Sequence, residues 1–240
     1  MVIDPGTDIE RVLVVAAHPD DVDFGCGGTV GLWTQAGVEV AYCIVTDGDA
    51  GGFDPAVPRS EIASIRQAEQ RAAAKVLGVE NVTFLGYPDG RLTVTLDLRR
   101  DISRAIRAFR PQRVLAQNPS RNWQRVYASH PDHMAAGEAT MCAVYPDSRN
   151  PFAFPELVDE GFDAWTVDEV WVMGVEAPDR YVDVTHTIDR KIAALREHVS
   201  QMPGIDDLDA LVRTWLGFNA ASAQLPDGSY AESYRYLVTT

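Results

Sequence analysis

Short runs of apolar residues alternate along this chain with longer segments in which apolar residues recur every three or four positions. The short runs are rich in β-branched residues and end in polar or glycine-containing turns, which is typical of buried strands. Six strands are predicted in this way, at 11–17, 38–46, 82–86, 113–118, 169–175 and 180–185. The helical periodicity predicts five helices, at 27–36, 59–78, 97–110, 131–145 and 187–199.

The order of these elements predicts the fold class. Strands that are apolar on both faces and separated by helices are typical of a mostly parallel sheet covered on both sides. We therefore predict an α/β protein with a three-layer, Rossmann-like arrangement. No repeat and no Ser/Gly-rich linker divides the sequence, so we expect one domain over 1–240, although 150–165 is irregular and the tail beyond 199 is not assigned. Ligands of such sheets bind beyond the carboxyl ends of the strands.

Composition narrows the possible partners. The 240 residues carry a formal net charge of −14, which argues against nucleic acid because phosphate binding needs a surplus of Lys and Arg. The apolar runs fall far short of the ~20 residues that span a bilayer, and the acidic start is not typical of a signal peptide. Three cysteines form no C-x-x-C pair, so we expect a cytoplasmic protein without disulfides. A homo-oligomer is compatible with the sequence, but no coiled-coil pattern predicts an interface.

The first predicted strand leads directly into HPDD, which contains His18, Asp20 and Asp21. A polar turn that begins a helix would explain these residues, and so would a metal site. The glycines that follow are weak evidence for a phosphate-binding loop, because G-x-G-x-x-G is absent and two aspartates would repel a phosphate.

A second polar motif, SHPDH, lies at 129–133. Pro131 suits the first turn of a helix, which puts His130 just before the helix and His133 one turn inside it. Hydrogen bonding at the helix start is the structural alternative for both histidines.

Together the two motifs point to metal chemistry. His18, Asp21 and His133 supply two imidazoles and one carboxylate, a set typical of catalytic zinc with an open position for water. Asp20 and His130 are then free to act as base and acid. A carboxylate beside the water takes its proton, and a histidine stabilises the oxyanion or protonates a leaving amine. This division of roles suits amide hydrolysis.

The motifs AAHPDDVDFGCGG and SHPDHMAAGEA resemble those of the zinc-dependent deacetylases called the PIG-L or LmbE-like family. The likeness covers nearly the whole chain, through TDGDAGG, RQAEQRAAAKVLG, LGYPDGRL, DVTHTIDRKIAAL and YAESYRYL. Members remove an N-acetyl group from glucosamine-type sugars, including those of mycothiol, bacillithiol and glycosylphosphatidylinositol synthesis. The resemblance implies an LmbE-like fold and a zinc-dependent hydrolase that deacetylates an amino sugar or an N-acetylglucosaminyl conjugate.

The resemblance also implies roles for individual residues. They are His18, Asp21 and His133 as ligands of one Zn²⁺, Asp20 as general base, His130 as general acid or oxyanion partner, Asp132 as the residue that orients His130, and Arg66 and Asp89 as sugar-binding residues. A solvated helix position is the alternative for Arg66, and a turn before Gly90 is the alternative for Asp89.

One departure from the family pattern concerns the oxyanion. Some sugar deacetylases carry a tyrosine two residues before the first histidine of the second motif, where this chain has Ala128, with Tyr127 next to it. Three other functions remain open: hydrolysis of a different amide such as a thiol conjugate, an iron oxygenase that uses the same two-histidine, one-carboxylate set, and a sugar-binding module with a structural metal.

Overall fold

The computed structural model describes residues 9–203 and 205–239. The expectation about a signal peptide rests on the first residues of the chain, and residues 1–8 lie outside this part. Within it the strands are β1 Arg11–Ala16, β2 Glu39–Thr46, β3 Asn81–Tyr87, β4 Arg113–Gln117, β5 Glu169–Met173, β6 Arg180–Asp183 and β7 Ala231–Val238. The helices are α1 Asp21–Gln35, α2 Arg59–Val76, α3 Leu96–Phe109, α4 Pro131–Cys142, α5 Pro155–Asp159, α6 Ile188–Arg196 and α7 Leu208–Ser222.

One seven-stranded sheet forms the middle of the molecule, in the order β3-β2-β1-β4-β5-β7-β6. The neighbouring strands β3, β2, β1, β4 and β5 are parallel to one another. β7 pairs antiparallel with β5 and β6. Val14 of β1 is paired with Tyr42 on one side and with Leu115 on the other. The prediction of a mostly parallel α/β sheet is confirmed.

Apolar side chains cover both faces of the sheet. Val12, Val14 and Ala16 point into a core under α1, α2, α6 and α7. Leu13 and Val15 point into a second core under α3 and α4. The alternation of side-chain direction along a strand therefore explains why β1 is apolar at every position. No helix in the described part of the chain is long and apolar enough to cross a lipid bilayer.

The start of α1 differs from the prediction. The sequence suggested a helix from Gly27, but α1 begins at Asp21, so this boundary was wrong. The glycines that obscured the helical pattern serve close packing: a Cβ at Gly28 would lie 2.8 Å from Val184 Cβ. Because Asp21 is the first residue of α1, the second aspartate of HPDD is fixed by a regular helix, not by a flexible turn.

The unassigned tail forms α7 and the antiparallel strand β7. Glu232 of β7 is buried and accepts hydrogen bonds from the backbone N–H groups of Gly28 and Thr29 at 2.9 and 2.8 Å. It also pairs with Lys191 of α6 at 2.7 Å, with both side chains at most 1% exposed. The tail therefore joins β6 to the rest of the sheet and holds α1 through Glu232.

Candidate metal centre and active site

The two histidine motifs meet at the carboxyl edge of the sheet. His18 follows the end of β1, and His130 and Pro131 begin α4, which follows β4. The chain leaves β1 toward β2 on one side, and β4 is the neighbour of β1 on the other. This change in strand order opens a crevice in which doubly wound folds bind their ligands.

Donor atoms of three residues converge in this crevice. His18 Nδ1 lies 3.2 Å from Asp21 Oδ2 and 3.2 Å from His133 Nε2. His133 Nε2 in turn lies 3.0 Å from Asp21 Oδ1. A tetrahedral ion with bonds of about 2.0–2.1 Å places its ligand atoms about 3.3 Å apart, so the donor set fits one zinc-sized ion. His18, His130 and His133 also form a group with metal-binding spacing.

The other nitrogen of His18 faces two more carboxylates. His18 Nε2 lies 3.1 Å from Asp89 Oδ1 and 3.3 Å from Asp132 Oδ2. Burial acts to lower the pKa of His18, but hydrogen bonds and charge from Asp132, Asp21 and Asp89 raise it to about 12. Three carboxylates around one imidazole create a surplus of negative charge, which a bound cation would neutralise.

Asp132 occupies a different place from the one expected. Its carboxylate accepts hydrogen bonds from the backbone N–H groups of Gly90 at 2.7 Å and Leu92 at 3.1 Å, and it faces His18. Only its backbone N–H approaches His130, at 3.2 Å from Nδ1. The carboxylate is therefore placed to orient His18, while the backbone at 132 orients His130.

Asp20 stands beside the donor set in a strained conformation, with φ at 95°. Its carboxylate accepts a hydrogen bond from Arg66 Nη2 at 3.1 Å. Burial and the negative charge of Asp21 raise the pKa of Asp20 to about 7, against the attraction of Arg66. A carboxyl group that titrates near neutrality suits a general base.

His130 is half-buried at the start of α4, with its ring edge-on to His18 at 4.8 Å between centroids. Burial and the neighbouring His18 and His133 lower the pKa of His130. Since Nδ1 accepts a hydrogen bond from the N–H of Asp132, the hydrogen of the neutral ring is on Nε2.

Arg66 and Asp89 are both buried, at 4% and 6% exposed. Arg66 donates to the carbonyls of Gly48 at 3.0 Å and Pro19 at 2.6 Å, besides Asp20. Asp89 accepts from the N–H of Ala50 and contacts His18. Arg66 therefore holds Asp20, and Asp89 holds His18.

Sequence analysis did not find a layer of residues beneath the site. His198 is fully buried against Asp23, and Gln70 connects the pair to the backbone of Asp20. No sequence motif signals this contact, because α1, α2 and the end of α6 are distant in the chain. His186, by contrast, is exposed on a turn before α6.

The segment 118–129, which joins β4 to α4, borders the crevice. Gln117 Oε1 accepts a hydrogen bond from Ala17 N at 2.8 Å, and Ser129 Oγ accepts one from Asn122 N at 2.7 Å. Trp123, between these fixed ends, is 83% exposed, and Tyr127 is 75% exposed. The segment is thus linked internally across residues 122 and 129, and the residues between them expose aromatic surface to solvent.

Comparison with known proteins agrees with this geometry. The family model described as PIG-L, GlcNAc-PI de-N-acetylase, matches residues 13–144. Diacetylchitobiose deacetylase of Thermococcus kodakarensis is 32% identical over 98% of this chain and 85% of its own length. A probable N-acetyl-α-D-glucosaminyl L-malate deacetylase 2 of Bacillus anthracis is 29% identical over 80% of this chain and 81% of its own.

A solved structure extends the likeness to three dimensions. N,N′-diacetylchitobiose deacetylase from Pyrococcus horikoshii, in complex with its inhibitor MPG, superimposes with a TM-score of 0.89 at 30% identity, covering 98% of this chain and 86% of that one. The family match covers both histidine motifs, so the crevice described above lies within the matched region. The chain therefore belongs to the PIG-L family of de-N-acetylases.

Proposed function

We propose that this protein is a zinc-dependent hydrolase that removes the acetyl group from an N-acetylglucosaminyl conjugate. The observation that carries the proposal is the convergence of His18, Asp21 and His133 beside Asp20 and His130. The proposed substrate class follows the relatives, which are named for deacetylating chitobiose and a glucosaminyl malate. We further propose that the enzyme acts in the cytoplasm, on a small-molecule substrate.

His18 Nδ1, His133 Nε2 and the carboxylate of Asp21 would hold the ion. Zinc bound there supplies a Lewis acid that lowers the pKa of water to about 7 and polarises a carbonyl. Asp20 accepts the proton of the water that attacks the acetyl carbon. The C–O bond forms, the C–N bond breaks, and the products are acetate and the free amine.

His130 stands on the other side of the proposed reaction centre. Its lowered pKa and the hydrogen bond from Asp132 N to Nδ1 support a neutral ring that donates from Nε2. Such a donor stabilises the oxyanion of the tetrahedral species. Protonation of Nδ1 would remove that hydrogen bond, so the proton taken up by Asp20 is the better source for the leaving amine.

Arg66 and Asp89 enter the proposal chiefly as supports of Asp20 and His18. Arg66 holds the Asp20 carboxylate, and Asp89 holds the ring of His18. A sugar contact by either residue requires it to exchange a protein partner for a hydroxyl group. We therefore propose that these two residues affect substrate binding indirectly, through the positions of Asp20 and His18.

Release of acetate tests the proposal. Purified protein loaded with zinc is incubated with N,N′-diacetylchitobiose, N-acetylglucosaminyl malate and N-acetylglucosamine, and free amine and acetate are measured. We expect turnover of at least one conjugate under anaerobic conditions, because hydrolysis needs no oxygen. Turnover that requires oxygen and an oxoacid would support the iron oxygenase, and tight sugar binding without turnover would support the binding module.

A further inference from the structure

The backbone of Asp20 requires an explanation of its own. Its φ of 95° and ψ of −30° lie in a region that residues with a side chain rarely adopt. Such a conformation persists only where the surrounding structure over-determines it. The groups that hold this backbone therefore decide where the Asp20 carboxylate points.

Helix α2 holds Asp20 at two positions one turn apart. Arg66 binds the carboxylate of Asp20 and the carbonyl of Pro19. Gln70, four residues later on the same face of the helix, accepts a hydrogen bond from the backbone N–H of Asp20 at 2.8 Å. The first contact fixes the end of the side chain, and the second fixes its origin.

The amide of Gln70 has one possible orientation. A backbone N–H only donates, so Gln70 Oε1 must face Asp20, and Nε2 then donates to Asp23 Oδ2 at 2.8 Å. The same oxygen of Asp23 lies 2.8 Å from His198 Nε2. Gln70, Asp23 and His198 are each 0% exposed, so water does not compete for these bonds.

This polar chain is maintained at an energetic cost. Neither Asp23 Oδ1 nor His198 Nδ1 has a hydrogen-bond partner among the described residues. Burying such atoms unpaired is unfavourable, and an apolar pair would fill the same volume without that penalty. The hydrogen bonds that the chain does make all lead toward the Asp20 backbone, which points to a role there.

We propose that Gln70, fixed by Asp23 and His198, is a positioning residue that keeps Asp20 in its strained conformation and so aims the carboxylate at the attacking water. The inference rests on the proposed function in taking Asp20 as the base. In the described part of the chain, none of the three residues hydrogen-bonds to a proposed zinc ligand, so the effect is expected in turnover and not in metal binding.

Gln70→Leu removes both hydrogen bonds at nearly constant volume. We expect kcat to fall by about 10- to 100-fold, as for a misplaced catalytic group, with KM and zinc affinity each within about threefold of wild type. The matched control is Gln67→Leu, the same change at another glutamine of α2. The side-chain amide of Gln67 donates to Asp47 and not to Asp20. The kcat of Gln67→Leu should stay within about twofold of wild type.

A second pair of variants separates geometry from charge and decides the question if Gln70→Leu does not fold. Asp23→Asn keeps an acceptor oxygen for Gln70 and His198, and Asp23→Leu removes it. We expect Asp23→Asn to keep kcat within about threefold of wild type and Asp23→Leu to lose about as much as Gln70→Leu.

A crystal structure of zinc-free Gln70→Leu gives a readout independent of activity. We expect the φ of Asp20 to leave the positive region. An unchanged φ, a loss confined to KM or zinc affinity, or an Asp23→Asn variant as impaired as Asp23→Leu would overturn the inference. If the wild-type protein releases acetate from no conjugate, the proposed function fails, and the φ of Asp20 still tests whether Gln70 positions it.

Discussion

The carboxylate of Asp132 faces His18, with Oδ2 3.3 Å from Nε2, while His18 Nδ1 lies 3.2 Å from His133 Nε2. The proposed ligand histidine is therefore held from the side opposite the metal. A carboxylate in this place fixes the tautomer and raises the basicity of the ligand, and its loss typically lowers metal affinity 10- to 100-fold. We expect Asp132→Ala to weaken zinc binding by about that factor, measured by competition with a chromophoric chelator. Asp97→Ala, at an exposed carboxylate on α3, is the control, and equal affinities in the two variants would contradict the assignment.

Asp20→Asn separates the proposed base from the metal site. Asparagine tolerates a positive φ, so the backbone is expected to persist while the carboxylate is lost. We expect kcat to fall by about 10²- to 10⁴-fold, with zinc stoichiometry unchanged by elemental analysis. Full activity of Asp20→Asn would exclude Asp20 as the base.

Zinc should stabilise the folded protein, because the donor atoms converge only in the native state. At a free zinc concentration of ~100 Kd the gain is about 2.7 kcal/mol, which corresponds to a Tm increase of about 5–10 °C for a chain of this size. Calorimetry with and without zinc measures it. His133→Ala should lose most of the increase, and an equal increase in this variant would place the metal elsewhere.

Gly137 sets how closely α4 approaches β4. A Cβ at this position would lie 2.3 Å from the backbone oxygen of Gln117, a clash that no side-chain movement relieves. We expect Gly137→Ala to shift α4, which carries His133, and to lower zinc affinity by at least about tenfold. Gly217→Ala, on α7 with no atom within 4 Å of the new Cβ, should leave affinity unchanged and gain about 0.5–1 kcal/mol of stability. Unaltered zinc affinity in Gly137→Ala would show that α4 tolerates the methyl group.

The buried pair of Lys191 and Glu232 should be sensitive to removal of one partner. Lys191→Met leaves the Glu232 carboxylate without its counter-charge, and we expect a loss of about 3–5 kcal/mol in urea denaturation. Lys191→Met combined with Glu232→Gln should recover part of that loss, because no charge is then left unpaired. A double variant less stable than the sum of the two single changes would contradict this account.

Local pattern was sufficient for the parallel half of the sheet. β1, β2, β4 and β5 are short and almost wholly buried, and α3 buries one apolar stripe. The tail was not predictable in this way, because α7 carries apolar residues on its exposed side as well, including Leu211, Trp215 and Phe218. In β7 a charged residue, Glu232, occupies a core position, which disguises the strand.

The proposed zinc ligands could be selected from the sequence because two short motifs contain all of them, and the structure brings these motifs together. The contacts that hold these ligands and Asp20 in place could not be predicted from the sequence. Asp89 reaches His18 because the turn after β3 lies at the same sheet edge, and His198 reaches Asp23 because α6 packs on α1. Such contacts depend on strand order and helix packing, which residue spacing does not reveal.

The segment 118–129 follows Gln117, which binds Ala17 N, is linked internally by the bond from Asn122 N to Ser129 Oγ, and exposes Trp123. None of the proposed zinc ligands lies within it. Its exposed middle carries no proposed ligand, whereas Asp21 lies in α1 and His133 in α4. The proposed ligands and the exposed aromatic surface therefore belong to separate parts of the chain, and exchanging residues 119–128 between relatives, with zinc affinity and turnover of each conjugate measured, tests whether this segment selects the sugar conjugate.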